Sequence, residues 1–124
     1  MRRAIAVVAL LLAVACHSER REMHAREQAM KHHLFEMRKA IADFRADKGR
    51  GPHSLQELQS EHYLRAIPSD PLTHAADWRE STDQVVVQSD DFAKGSNAPP
   101  QVELIDVHSR APGKDDSGKP YAEY

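Results

Sequence analysis

The chain predicts an α+β domain in which a long N-terminal helix packs on a small antiparallel sheet, followed by a loop-rich C-terminus. Three observations carry this. Apolar residues at Met23, Met30, Leu34, Met37, Ile41 and Phe44 advance in steps of seven, four, three, four and three, the stripe of a helix with one buried face. Two runs of strand character, 84–88 and 102–107, flank residues 90–100, where Gly95, Asn97, Pro99 and Pro100 read as a loop, so the runs pair as a hairpin. A two-stranded ribbon is marginal by itself, and a helical stripe of this length needs cover; each supplies what the other lacks.

At the start, Arg2 and Arg3 precede an uncharged run over residues 4–15 and then Cys16, the layout of a secretory leader: basic start, short apolar core, small residues at the cut. Twelve helical residues reach about 18 Å at roughly 1.5 Å each, short of a hydrocarbon core about 30 Å thick. Leu12, Ala13, Val14, Ala15 and Cys16 are similar to a bacterial lipobox. That similarity implies a leader of residues 1–15 cut before Cys16, lipidation of the Cys16 thiol, and a tether over residues 16–26. Several acyl chains hold a membrane stably where one does not. Ser18 stands where an Asp would signal inner-membrane retention, so the outer membrane is favoured, with the protein facing the periplasm. An ordinary cleaved signal peptide and a short uncleaved anchor are the alternatives.

Without the leader about 110 residues remain, enough for one small domain. The chain balances 17 basic against 19 acidic residues, and losing Arg2 and Arg3 moves the net charge from −2 to −4. No basic face emerges, which argues against nucleic acid as a partner. Cys16 is the only cysteine, so the fold rests on packing without an internal disulfide.

The helix carries Arg26, Glu27, Lys31, Arg38, Lys39 and Asp43 on what reads as its solvated face, and Gly49 supplies the left-handed residue that stops it. Its first turns, residues 23–30, are expected to project and to be free for a partner helix. Pro52 prevents continuation, and Ser54 with Glu57 forms a capping box for a short second helix bearing Leu55 and Leu58. Leu55, Leu58, Tyr63, Leu64 and Ile67 are expected to form one apolar cluster against the long helix. Pro68 and Pro71 then bias Ile67 and Asp70 away from helix, giving a stiff bridge that leads to Trp78, a core candidate.

Tyr63, Ile67, Pro68, Asp70, Pro71 and Trp78, read with Asp106, His108, Ser109, Gly113, Gly118 and Tyr121 near the end, resemble the soluble domain of the major (G-type) pseudopilin of type II secretion, over about residues 27–124. The resemblance implies a pilin-like fold and a non-enzymatic protein, accessory to a type II secretion or type IV pilus-like system, with pseudopilins or other secretion subunits as partners. The N-terminus departs from that family. It has no Gly followed by Phe-Thr-Leu-x-Glu, no spanning helix and no Glu within the apolar run. A stand-alone envelope lipoprotein that binds a periplasmic protein or the cell wall is the alternative.

The resemblance also implies a calcium ion in the C-terminal loop, with Asp115 and Asp116 as ligand candidates, since oxygen-rich loops suit hard cations. The alternative is a cation-free loop pinned by Pro120, by packing of Tyr121 and Tyr124, and by turns at Asp115 and Asp116. Among the eight histidines, His32 and Glu36 stand four apart and could share a metal, but His24 lies about two turns away, and solvated histidines are the plainer reading. No catalytic residues are expected: His108 and Ser109 are adjacent on a strand and point to opposite faces, and no nucleophile elbow, phosphate-binding glycine loop or Cys-x-x-Cys is present.

Overall fold

A computed structural model of the chain describes residues 2–85 and 101–124. The elements run α1 (Arg2–Lys48), α2 (Leu55–Ser60), β1 (Arg79–Val85), β2 (Gln101–His108) and a single 3₁₀ turn at Tyr121–Glu123. The coarse expectation holds: a long first helix lies on a two-stranded antiparallel sheet.

The helix is longer than its apolar stripe announced. It was expected to begin near Met23, after a tether, but runs unbroken through residues 16–26 from Arg2. No Gly or Pro interrupts residues 2–48, and Ala, Leu, Arg and Glu dominate them, so local propensity carries the helix into a region with nothing to pack on. Among the described side chains burial begins at Glu27, and Met30, Leu34, Met37, Ala40, Ile41 and Phe44 form the seam. Met23, assigned to the stripe, is 45 % exposed, while Met30, expected to project, is fully buried. The projecting part is therefore residues 2–26. Gly49 ends the helix as expected, with φ of 71° and its N–H on the Arg45 carbonyl at 3.0 Å.

In α2 the Ser54 hydroxyl accepts the Glu57 N–H at 3.3 Å. The Glu57 carboxylate returns to the His53 N–H at 2.5 Å rather than to that of Ser54, and Arg50 grips the same carboxylate at 2.6 Å. The box thus closes one residue early. Leu55, Leu58 and Leu64 are buried, with Tyr63 and Ile67 packed against them, as the cluster expectation required. Trp78 is also in the core.

β1 begins five residues before the run expected for it, directly after Trp78; residues 86–88, the rest of that run, lie outside the described residues, as does the loop at 90–100. None of the described side chains of β1 is buried. Among its described side chains the strand is held by its ladder to β2 and not by an apolar face, and the residues 79–84, Arg-Glu-Ser-Thr-Asp-Gln, carry no hydrophobic signal. On β2 the buried residues are Leu104 and Val107, three apart. The register explains the spacing: Ser81 pairs with Asp106 and Thr82 with Leu104, leaving Ile105 as the extra residue of a bulge. Its insertion breaks the period of two and turns both apolar side chains to α1.

The outer edge of β2 is covered. The Leu104 N–H donates to the Pro52 carbonyl at 2.6 Å, and His53 Nδ1 donates to the Val102 carbonyl at 2.7 Å, which places the ring proton on that nitrogen. Arg38 donates to the Val107 carbonyl at 2.9 Å. Gly51 allows the close approach: a Cβ there would lie 3.0 Å from the Cβ of Glu103.

Candidate functional site

The candidate sites are two: the projecting helix with Cys16, and the C-terminal segment with Asp115 and Asp116. Cys16 is exposed on α1, eleven residues before the first buried side chain. Upstream, Val7, Val8, Leu10, Leu11, Leu12 and Val14 are all more than half exposed, and no described helix is long and apolar enough to cross a membrane. From Cys16 to Arg26 the exposed surface becomes polar and charged.

The C-terminal segment, residues 113–124, folds around Asp115. One carboxylate oxygen accepts the Ser117 N–H (2.8 Å), the Ser117 hydroxyl (2.6 Å) and the Lys119 N–H (3.0 Å); the other accepts the Tyr124 hydroxyl. These bonds, the Ser117 hydroxyl first and the Tyr124 hydroxyl second, hold the Asp115 carboxyl far below the usual carboxylate range. Gly113 and Gly118 take positive φ, and Lys114 bridges to Pro120. Asp116 is exposed. Both oxygens of Asp115 are thus committed to protein donors, and among the described residues no three His, Cys, Asp or Glu side chains are placed to hold a metal. Tyr121 is buried, and the ammonium groups of Lys31 and Lys119 lie 4.3 and 3.9 Å from the centre of the Tyr124 ring.

The segment is clasped to the rest of the protein at four points. Tyr121 donates its hydroxyl to Glu27, a residue 6 % exposed. Arg79 donates to the Ala122 carbonyl at 2.7 Å, His108 Nδ1 lies 2.9 Å from the Tyr124 carbonyl, and Lys31 reaches the Tyr124 ring. The bond to Glu27, then burial, pushes the Tyr121 phenol up to about 12. Glu27 therefore lies in the buried seam and not on the solvated face expected for it. It occupies the position skipped by the seven-residue step between Met23 and Met30, so the stripe's own period pointed to it.

The remaining motif residues form a second polar knot. Asp70 is fully buried; one oxygen accepts the Leu72 N–H at 2.8 Å and the other accepts the Ser109 hydroxyl at 2.5 Å, while Ser109 Oγ also accepts the Ala111 N–H at 3.0 Å. Pro68 presents its carbonyl to Trp78 Nε1 at 2.7 Å, and Pro71 follows Asp70 into the turn that closes at Ala75. Tyr63 meets Phe44 edge-on at 5.1 Å and donates to Asp47 at 2.9 Å. Asp106 pairs with Arg38 at 2.6 Å, another residue assigned to solvent that is half-buried. His108 and Ser109 do point apart, His108 toward Asp106 and Tyr124 and Ser109 toward Asp70. The sequence marked these residues as a set; it gave no sign that Asp70 and Ser109, 39 positions apart, share a hydrogen bond.

His32 Nε2 and His33 Nδ1 lie 3.4 and 3.6 Å from the two oxygens of Glu36. Beside them an open groove of about 330 Å³ runs between α1 and the proline segment, lined by Lys39, Asp43, Leu64 and Arg65 among others. Its opposite charges pair with each other, as Lys39 does with Asp43 at 2.5 Å. No family model, no curated protein and no solved structure matches the chain.

Proposed function

We propose that the chain is a non-enzymatic cell-envelope lipoprotein whose residues 27–124 form a pseudopilin-like domain, accessory to a type II secretion or type IV pilus-like system. The observation that carries the reading is the position of Cys16: it follows a short apolar run and stands, exposed, on a helix whose lower half seats a small head. Cleavage before Cys16 would leave residues 16–26 as a polar helical spacer of about 16 Å between acyl chains and head. The domain faces the periplasm and its anchor favours the outer membrane. In place of the spanning rod of a pilin, a lipid supplies the attachment, and several acyl chains make it stable.

Mass spectrometry of the protein purified from envelope fractions tests the anchor. Expected is a chain beginning at Cys16 with diacylglyceryl and acyl groups, and release of the Cys16→Ala form from membranes; an unmodified thiol overturns the anchor. In-cell crosslinking from residues 19–22 tests the machine. Adducts with pseudopilin or platform subunits support it. A second reading is a stand-alone lipoprotein binding a periplasmic protein or the cell wall, and adducts confined to such components would select it.

A further inference from the structure

The two edges of the ribbon are treated differently. Pro52, His53 and Arg38 hydrogen-bond the outer edge of β2. Among the described residues no other chain segment hydrogen-bonds the outer backbone edge of β1; the Gln84 N–H is met only by its own neighbour, the Asp83 carboxylate, at 2.8 Å. Seven residues long, with Arg79 and residues 82–84 exposed, β1 is, among the described residues, an open template for another strand. A two-stranded sheet is also the one most improved by further strands.

Charge selects what can pair there. Symmetric antiparallel pairing joins residues of the same parity, because only alternate residues turn their N–H and C=O outward. Centred on Glu80, it would set Glu80 against itself, and centred on Asp83 it would set Asp83 against itself. Centred on Thr82, it places Arg79 against Val85 and leaves every charge without a partner. Centred on Ser81, it places Arg79 opposite Asp83 of the second copy and, by the two-fold, Asp83 opposite Arg79 of the second copy, with Glu80 opposite Thr82. Among registers centred within β1, this one alone matches opposite charges between its seven residues, and it does so twice.

We propose that β1 is a homodimer edge: a second copy of this chain adds its own β1 antiparallel about a two-fold at Ser81, giving a four-stranded sheet across two domains. The side chains needed are available. Arg79 uses one of its five N–H groups on Ala122, and the second oxygen of Asp83 is uncommitted among the described residues. Edge charges that repel foreign strands and mismatched registers here admit one partner.

Sedimentation equilibrium of the full chain in density-matched detergent tests the interface. The wild-type chain is expected to dimerise at tens of micromolar, and Asp83→Arg, which sets two cations opposite each other at both ends, to weaken the dimer about tenfold. Exchange of both residues, Arg79→Asp with Asp83→Arg, is expected to restore it. In a Cys16→Ala background, Ser81→Cys is expected to give a disulfide-linked dimer on mild oxidation, since directly opposed residues approach to bridging distance. Circular dichroism checks that each variant is folded. A monomer at 100 micromolar, a dimer indifferent to Asp83→Arg, or no crosslink at residue 81 each overturns the proposal, the second by placing self-association elsewhere, as through the apolar end of α1.

Discussion

The proline segment, residues 62–78, and the C-terminal segment, residues 113–124, solve the same problem by different means. Each is irregular chain, each is turned by an Asp that accepts the N–H two residues on (Asp70 from Leu72, Asp115 from Ser117, both at 2.8 Å), and each is pinned by an aromatic donor, Trp78 or Tyr121. The difference lies in where the second carboxylate oxygen goes. Asp70 is fully buried and reaches Ser109 at the end of β2, whereas Asp115 spends all its bonds within its own segment. A long-range bond from a buried carboxylate makes the first segment part of the frame. Local bonds make the second a self-contained loop that grips the frame through Tyr121, Tyr124 and Ala122.

Removing the buried anchor is expected to cost the most. Asp70→Ala strands the Ser109 hydroxyl and the Leu72 N–H away from water, a loss of about 3 kcal/mol, which for a domain this size lowers the melting temperature by roughly 12 °C. Asp70→Asn keeps an acceptor and is expected to cost less than half as much. Thermal melts of the pair decide: equal effects from Asp70→Ala and Asp115→Ala would erase the distinction between frame and loop.

Next comes the clasp. Tyr121→Phe deprives buried Glu27 of its donor and is expected to cost about 2 kcal/mol, with Glu27→Gln less than additive on top of it because the two share one bond. The pH dependence has a defined sign. With the folded phenol pushed up to about 12, above its ordinary 10, the clasp's contribution is fully present below pH 10 and lost as pH rises toward 12. An ultraviolet titration should show a tyrosine ionising near pH 12 that vanishes in Tyr121→Phe.

What the sequence disclosed follows the same division. The buried seam of α1, the Ser54 cap, the Gly49 stop and the cluster around Leu58 were legible because each is a local or periodic signal. The start of β1 was not, since a strand held chiefly by its backbone ladder carries no apolar pattern, and neither was Ile105, whose bulge exists only in the pairing. Glu27 was misread by rule: a carboxylate was sent to solvent although its position kept the heptad step. Asp115 drew attention as a ligand candidate because loop acidity is visible, while the deeper knot of Asp70 and Ser109 is a tertiary fact.

The self-contained loop should answer to acid. Asp115 is held well below its ordinary 3.8, so its bonds stabilise the fold above about pH 4, and that contribution is lost as pH falls through the lower folded value. Between pH 5 and 2 the wild-type melting temperature should fall more steeply than that of Asp115→Asn. Chelator should leave the midpoint at neutral pH unchanged, since both oxygens are already occupied by protein donors.

The smallest effect separates the segments by their left-handed residues. The C-terminal segment uses Gly113 and Gly118 where φ is positive; the proline segment uses His62 and His74, at 65° and 60°. His62 sits just past α2, its N–H on the Gln59 carbonyl at 3.1 Å and the Tyr63 N–H on the Leu58 carbonyl at 2.8 Å, the paired bonds of a Schellman stop. Its side chain is exposed. A non-Gly residue there bears about 1–2 kcal/mol of strain, against which glycine carries an added unfolded-state entropy of about 0.5–1 kcal/mol. His62→Gly should therefore stabilise the protein by about 0.5 kcal/mol, the difference of those two quantities, while Gly118→Ala should destabilise it. A chemical melt showing His62→Gly neutral or harmful would mean that the imidazole itself holds the turn, and the proline segment would then owe its stiffness to a side chain rather than to its backbone bonds.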